Sequence, residues 1–140
     1  MKYLKYLLLL VFSVFSNASE SIPLNDLSSL RWENRLIILN KPSDTEHALS
    51  LMKHSSEGIN DRHIVWFILK ESEALTNYSG RLSESFMLNV RQQYQLKNNT
   101  VTLVGKDGGI KYQGSTVDVK ALFSIIDAMY MRKREVQLKN

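Results

Sequence analysis

Two short apolar runs limit most strongly how this chain of 140 residues can fold. They are RLIILN at residues 35–40 and HIVWFILK at residues 63–70, and together they are rich in isoleucine, valine and aromatic side chains. Continuous apolar runs of this length are typical of central strands that are covered on both faces. Because a helix fits between the two runs, we predict that the strands are parallel neighbours.

The segment between the runs, KPSDTEHALSLMKHSSEG, is interpreted as that crossover helix. Pro42, Ser43 and Asp44 supply residues that commonly start a helix, and Gly58 supplies a stop. The sequence therefore predicts a strand, a helix and a second strand in one βαβ unit.

Two further helices are predicted from apolar periodicity. In ESFMLNVRQQYQL the apolar residues recur every four positions, and near the C-terminus they follow an i, i+3, i+4, i+7 spacing. The basic residues at 132–134 are interpreted as solvated cations that complement the helix dipole, with a patch for an anionic surface or polyanion as the alternative. The apolar positions of the two faces are Phe86, Val90 and Tyr94, and Val119, Leu122, Phe123, Ile126, Met129 and Tyr130.

The glycine-rich stretch LVGKDGGIKY, residues 103–112, raises the question of phosphate binding. A phosphate-binding loop of the Walker type has its lysine after the glycines and a helix next, whereas Lys106 precedes Gly108 and a strand-like segment follows. Asp107-Gly108 is a strong signal for a tight turn between strands. We therefore interpret TVTLVG and IKYQG as the two strands of a hairpin.

The predicted fold class is α/β, with the order β-α-β-α-β-β-α. This is the minimal thioredoxin-like arrangement, a single mixed sheet with helices on both faces. Another small α/β sandwich with the same elements is the alternative. Leu24, Leu27, Leu30 and Trp32 precede the first strand, and we expect them to pack an N-terminal arm onto the sheet.

The first eighteen residues have the pattern of a signal peptide. A basic start is followed by the apolar core LLLLVFSVF and by small residues at Ser16 and Ala18. The expected organisation is a signal peptide at residues 1–18 and one domain at residues 19–140, exported to the periplasm or the extracellular space. An uncleaved membrane anchor is the alternative, although the core is shorter than the roughly 20 residues that span a bilayer.

Charge argues against a nucleic-acid partner. Removal of Lys2 and Lys5 leaves 16 basic residues against 14 acidic ones, a net charge of +2 in place of +4. Nucleic-acid binding calls for a basic stripe on one face, so no nucleic acid is expected as a partner. The membrane is expected to be involved only through export, and the partner is expected to be an unknown protein or small ligand.

Three blocks of the sequence resemble a known family. LSSLRWENRLIIL, VTLVGKDGGIK and LFSIIDAMYMRKRE look like the signatures of the family called domain of unknown function 4174. The resemblance implies a thioredoxin-like fold close to that of peroxiredoxins, without an established activity. It also implies an extracytoplasmic setting, since the family occurs in exported bacterial proteins and within vertebrate sushi-repeat extracellular proteins.

The chain has no cysteine, which excludes thiol-disulfide exchange and thiol peroxidase chemistry. A thioredoxin places its redox cysteines after the first strand, where this chain has NKPSDTEH. Ligand sites in open α/β sheets lie at the carboxyl ends of the parallel strands. The candidate ligand or partner surface is therefore Lys41, Ser43, Asp44 and Tyr78.

The histidines favour neither a metal nor a cofactor site. His47 and His54 are seven residues apart, so two turns of helix place them about 10 Å apart along the axis, too far to share one ion. We interpret the histidines as solvent-facing and predict no metal, cofactor or catalytic residue. The predicted function is a non-catalytic binding or interaction module. The alternative is an enzyme with a cysteine-independent site at the carboxyl ends of the parallel strands.

Overall fold

The computed structural model describes residues 21–140, so the predicted signal peptide lies outside the described part of the chain. Within residues 21–140 no helix is both long and apolar enough to cross a membrane. The elements, after a 3-10 turn at Ser28–Leu30, are β1 (Arg35–Asn40), α1 (Thr45–His54), α2 (Ser56–Asp61), β2 (Ile64–Leu69), β3 (Ala74–Thr76), α3 (Phe86–Gln93), β4 (Thr100–Val104), β5 (Ile110–Gly114), α4 (Val119–Asp127) and α5 (Tyr130–Lys139).

The strands form one mixed sheet with the order β3-β2-β1-β4-β5. Strands β1 and β2 are parallel, with Arg35 opposite Ile64 and Asn40 opposite Leu69. The other three pairings, β2 with β3, β1 with β4 and β4 with β5, are antiparallel. The prediction of a mixed α/β fold with two parallel central strands is thus confirmed.

Helices cover both faces of the sheet because alternate residues of β1 point to opposite sides. Ile37 and Leu39 pack in one apolar cluster with buried side chains of α1, α2 and α4. Leu36 and Ile38 pack in a second cluster with α3 and the N-terminal arm. All six residues of β1 are buried, as they are in β2, which explains why both strands read as continuous apolar runs.

The N-terminal arm packs on the sheet as predicted, except at its last apolar residue. Leu24, Leu27 and Leu30 are buried in the second cluster. Trp32 is exposed, so its predicted packing is wrong. Its backbone is left-handed, with φ of 70°, and its N–H donates to the carbonyl oxygen of Lys106 at 2.7 Å. This turn leaves the indole on the surface, where the guanidinium of Arg31 lies 5.2 Å from the ring centroid.

The glycine-rich stretch forms the turn between β4 and β5, so the hairpin prediction is confirmed. Gly108 has φ of 83°, a conformation that glycine adopts without steric cost. The turn is closed by hydrogen bonds from the N–H of Gly105 to the oxygen of Gly109, 2.9 Å, and from the N–H of Gly108 to the oxygen of Gly105, 3.0 Å.

The crossover between β1 and β2 contains two helices, whereas the sequence predicted one. Helix α1 ends at His54, and α2 runs from Ser56 to Asp61 with Gly58 inside it. The prediction that Gly58 stops the helix is therefore wrong. A Cβ atom at Gly58 would lie 2.5 Å from Cε2 of Phe123, so this glycine lets α4 pack closely on α2.

Two other segments also differ from the predicted element order. The polar stretch after β2 contains β3, a three-residue edge strand. Its neighbours in the sequence are polar, so the apolar pattern does not predict it. The C-terminal helix is divided at Met129, whose φ and ψ of −71° and 140° are extended. Tyr130 is exposed, so its predicted place on the buried apolar face is wrong. Leu122 and Ile126 are buried on that face, as predicted.

Candidate functional site

The carboxyl end of β1 carries the first two residues of the predicted surface. Lys41 follows β1 directly, and its Nζ lies 3.0 Å from Oε2 of Glu71. The Lys41 oxygen accepts a hydrogen bond from the N–H of Asn99, 3.1 Å, and Asn99 Oδ1 accepts one from the N–H of Ser43, 3.2 Å. Asn99, which the sequence prediction missed, therefore links Lys41 to Ser43.

Asp44 is the N-cap of α1, as the helix-start residues indicated. Its Oδ1 accepts a hydrogen bond from the N–H of His47 at 3.0 Å, and both residues are exposed. The carboxylate is thus used to satisfy a backbone donor of the first turn.

Replacing Asp44 by alanine is expected to lower the free energy of unfolding by about 1 kcal/mol, because the cap is lost. Asp44→Asn is expected to leave it nearly unchanged, since asparagine caps equally well. Urea unfolding measures both variants. Asp118→Ala is the matched control, because Asp118 caps α4 through the N–H of Ala121 in the same geometry. A loss as large in Asp44→Asn as in Asp44→Ala would contradict a capping role.

Tyr78 lies apart from the other three predicted residues. It is half-buried and packs against the cluster on the α3 face, and its N–H donates to Oγ1 of Thr76 at 2.9 Å. Asp44 caps a helix that packs on the opposite face. In the described part of the chain, no hydrogen bond or ion pair joins Tyr78 to Lys41, Ser43 or Asp44.

Beneath this surface the buried side chain of Asn40 is fully engaged. Its Nδ2 donates to the oxygen of Lys97 at 3.0 Å, and its Oδ1 accepts from Nε of Arg91 at 2.9 Å. Arg91 in turn donates to the oxygen of Lys70. These bonds tie the carboxyl ends of β1 and β2 to α3 and to the segment before β4.

The opposite end of the sheet contains a group of charged side chains that the sequence did not predict. We call it the ionic cluster, and it is built where the start of β1, the hairpin turn and three helices meet. At its centre the Glu135 carboxylate lies 3.0 and 3.2 Å from the two terminal nitrogens of Arg35 and 2.6 Å from Nζ of Lys106. The members of the ionic cluster are Arg35, Asp61, Lys106, Asp127, Arg132 and Glu135.

These central groups are largely removed from water. The exposed fractions of the side chains are 1% for Arg35, 8% for Lys106 and 18% for Glu135. Burial on its own raises the pKa of Glu135, but hydrogen bonds from Arg35 and Lys106 outweigh it and lower that pKa from 4.5 to about 2. A carboxyl group whose pKa lies this far below neutral pH is unsuited to general acid or base catalysis at neutral pH.

Arg132 joins α5 to the ends of α2 and α4. Its Nη1 donates to the backbone carbonyl oxygen of Asp61 at 2.9 Å, and its Nη2 contacts the carboxylate of the same residue. Its Nε lies 3.5 Å from Oδ1 of Asp127. The hydrogen bonds from Lys139 and Arg132 lower the pKa of Asp61 to about 2. Arg132 is only 4% exposed, so the prediction that the basic residues at 132–134 are all solvated is wrong for this one.

His63 lies beside the ionic cluster at the start of β2. Its Nδ1 is 2.8 Å from Nζ of Lys106, so the neutral ring accepts a hydrogen bond there. The imidazoles of His47, His54 and His63 are exposed, as predicted. Within residues 21–140 no three His, Asp or Glu side chains are arranged to hold a metal ion.

The titration of His63 is expected to have a midpoint below 6.5. His63 is exposed as a residue, but partial desolvation of its ring lowers the pKa, and the positive charge of Lys106 lowers it further, because both disfavour the imidazolium. An NMR titration of the ring proton resonances measures the midpoint in the folded protein. A value at or above 6.5 would show that Lys106 does not face the ring as described.

The ionic cluster draws on all three blocks that carry the family resemblance, since Arg35, Lys106 and Glu135 come from one block each. A profile of the family described as domain of unknown function (DUF4174) matches residues 26–135 and so includes all three. The chain belongs to this family. Arg35 and Lys106 each stand at the edge of an apolar stretch, which is the available sequence signal, whereas Glu135 follows three basic residues and carries no such signal.

One curated relative of the DUF4174 chain is coiled-coil domain-containing protein 80 from Danio rerio. The two are 24% identical over an aligned length of 138, and the alignment covers 82% of this chain and 16% of the relative. The DUF4174 chain thus spans about a sixth of the length of that relative. No solved structure matches the DUF4174 chain significantly.

Proposed function

We propose that this DUF4174 chain is an exported, non-catalytic binding module on a thioredoxin-like scaffold. One observation carries the proposal: the polar groups at the carboxyl end of β1 serve to hold the fold. Asp44 caps α1, Asn99 links Lys41 to Ser43, and Lys41 pairs with Glu71. An enzyme needs a nucleophile or base that is positioned for substrate, whereas these groups are positioned for one another.

The scaffold proposal is supported by the strand order. Strands β1 and β2 are parallel, and α1 and α2 connect them along the chain. The antiparallel hairpin of β4 and β5 continues the same sheet, because β4 pairs with β1. This is the arrangement of a βαβ unit followed by a hairpin and a closing helix. Strand β3 extends the sheet at one edge. Because fold alone carries no chemistry, the scaffold favours no particular reaction.

The export proposal is supported by the pattern of residues 1–18. Intact-mass measurement of the protein recovered from the exported fraction is expected to give a chain that begins at Ser19. A full-length chain beginning at Met1 in the membrane fraction would contradict cleavage and favour the uncleaved anchor.

The binding role is tested with a charge reversal at the proposed partner surface of Lys41, Ser43 and Asp44. The purified protein, Lys41→Glu and Lys120→Glu are each titrated into the exported fraction and captured. We expect the purified protein and Lys120→Glu each to capture one partner saturably. We expect Lys41→Glu to bind that partner with at least tenfold lower affinity. Lys120 is an exposed residue of α4 and provides a matched change of charge.

The enzyme alternative makes a different prediction at the same surface. It expects turnover of an ester, amide or phosphoester substrate that disappears in Ser43→Ala and in Asp44→Asn. We expect no turnover by the unmodified protein above that of a heat-denatured sample. Turnover that depends on Ser43 or Asp44 would overturn the non-catalytic proposal.

A further inference from the structure

A cavity lies between the hairpin turn and the start of α5, beside the ionic cluster. Its volume is about 290 Å³. Met129, Tyr130 and Met131 form an apolar wall. The rest of the lining is polar, and its residues are Arg35, Gly105, Lys106, Asp107 and Lys111.

The charges around this cavity do not balance. Three cations line it, while Asp107 is the only carboxylate in the lining and pairs with Lys111 at 2.8 Å. The two buried cations, Arg35 and Lys106, share the single carboxylate of Glu135. Arg35, Lys106 and Glu135 together therefore carry one positive charge in excess, in a position where water compensates charge poorly.

Two further features favour an anion at this place. Nε of Arg35 is buried and, within the described residues, has no hydrogen-bond acceptor. Helix α5 starts against the cavity with Met129 as its N-cap, which supplies no side-chain acceptor to the first turn. The N–H groups of a first turn have no partner inside the helix and carry partial positive charge. A guanidinium in the cavity lining whose Nε lacks an acceptor and an uncapped helix start thus lie at the same cavity.

We propose that this cavity binds a small organic anion, which carries one carboxylate or phosphate group on an apolar body. The anionic group would lie beside Lys106 and Arg35 and accept hydrogen bonds from the first turn of α5. The apolar body would contact Met129 and Met131. The inference goes beyond the proposed function, since it assigns a small-molecule ligand to the end of the sheet opposite Lys41.

The test uses benzoate and phenylphosphate as probes and benzyl alcohol as their neutral counterpart. In ¹H–¹⁵N spectra of the full protein, both anions are expected to shift the amides of Gly105, Met131 and Arg132 saturably, with a dissociation constant of about 1 mM. Benzyl alcohol is expected to leave these amides unchanged. Shifts caused by benzoate alone would assign the site to carboxylates, and shifts caused by phenylphosphate alone would assign it to phosphates. Either result supports the anion site.

Asp107→Asn provides a gain of affinity that a loss of folding cannot imitate. The asparagine oxygen still accepts from the N–H of Gly109, as Asp107 does at 3.0 Å, but a negative charge facing the cavity is removed. Benzoate affinity is expected to rise about fivefold. Glu57→Gln, an exposed residue of α2, changes the net charge equally and is expected to leave the affinity unchanged.

Three results would overturn the anion site: no saturable shift, equal shifts with benzyl alcohol, or equal affinities in Asp107→Asn and Glu57→Gln. None of them bears on the proposed partner surface, because capture through Lys41 is measured separately. Chemical conversion of a bound probe would contradict the non-catalytic proposal and leave the anion site standing.

Discussion

Replacement of Glu135 by glutamine is expected to lower the free energy of unfolding by about 3 kcal/mol at neutral pH. Glutamine keeps the shape of the side chain and one acceptor oxygen but removes the only negative charge shared by Arg35 and Lys106. Arg35 is 1% exposed, so its charge would remain buried without a counterion. Urea unfolding followed by circular dichroism measures the change.

The matched control for this substitution is Glu57→Gln. Glu57 is exposed on α2, and its replacement is expected to change the free energy of unfolding by less than about 0.5 kcal/mol. If Glu135→Gln unfolds at the same urea concentration as the control, Glu135 does not hold the two buried cations.

The loss from Glu135→Gln is also expected to depend on pH. The pKa of Glu135 is lowered from 4.5 in the unfolded chain to about 2 in the folded protein. Its stabilisation is therefore complete above pH 4.5 and is lost as the pH falls toward 2, because the unfolded state binds the proton first. The unfolding free energies of the two proteins should converge over this interval, and a constant difference would contradict the assignment.

The basic run at residues 132–134 offers a second test with an internal control. Arg132→Ala is expected to lower the free energy of unfolding by about 2 kcal/mol, because α5 loses its buried attachment to α2 and α4. Arg134→Ala is expected to change it by less than about 0.5 kcal/mol, since Arg134 is exposed and its guanidinium donates to Tyr130 of its own helix.

Thermal unfolding of the two arginine variants side by side separates these outcomes. The residue type and the net charge change are the same, so only the position differs. Equal losses would indicate that the two arginines contribute through net charge alone. A loss confined to Arg132→Ala would confirm the buried contact.

Local patterns predicted much of the fold. Strands β1 and β5 have the predicted bounds, and β2 differs by one residue at each end. Asp44 caps α1 and Gly108 takes the left-handed conformation of the hairpin turn. These features depend on residues that are close together in the sequence. The strands follow from the spacing of apolar residues, the start of α1 from its capping side chain, and the turn from the conformational freedom of glycine.

The ionic cluster could not be predicted in the same way. Arg35 and Glu135 are separated by 100 positions, and Asp61 and Arg132 by 71. A charged residue in a sequence is normally assumed to face water, because burying it without a partner is costly. Whether the partner exists depends on how the helices pack, so the sequence predicts solvation for the whole basic run.

The sequence by itself determined the four longer strands, where α1 begins, where the last hairpin turns, and that no thiol chemistry is available. These properties follow from local conformational preference and from composition. Only the tertiary structure decided that Gly58 lies inside a helix, that α5 is a separate helix, and that Arg35, Lys106 and Glu135 form one buried group. Each of these outcomes depends on contacts between distant segments, because close packing and charge pairing act through space and leave no periodic mark along the chain.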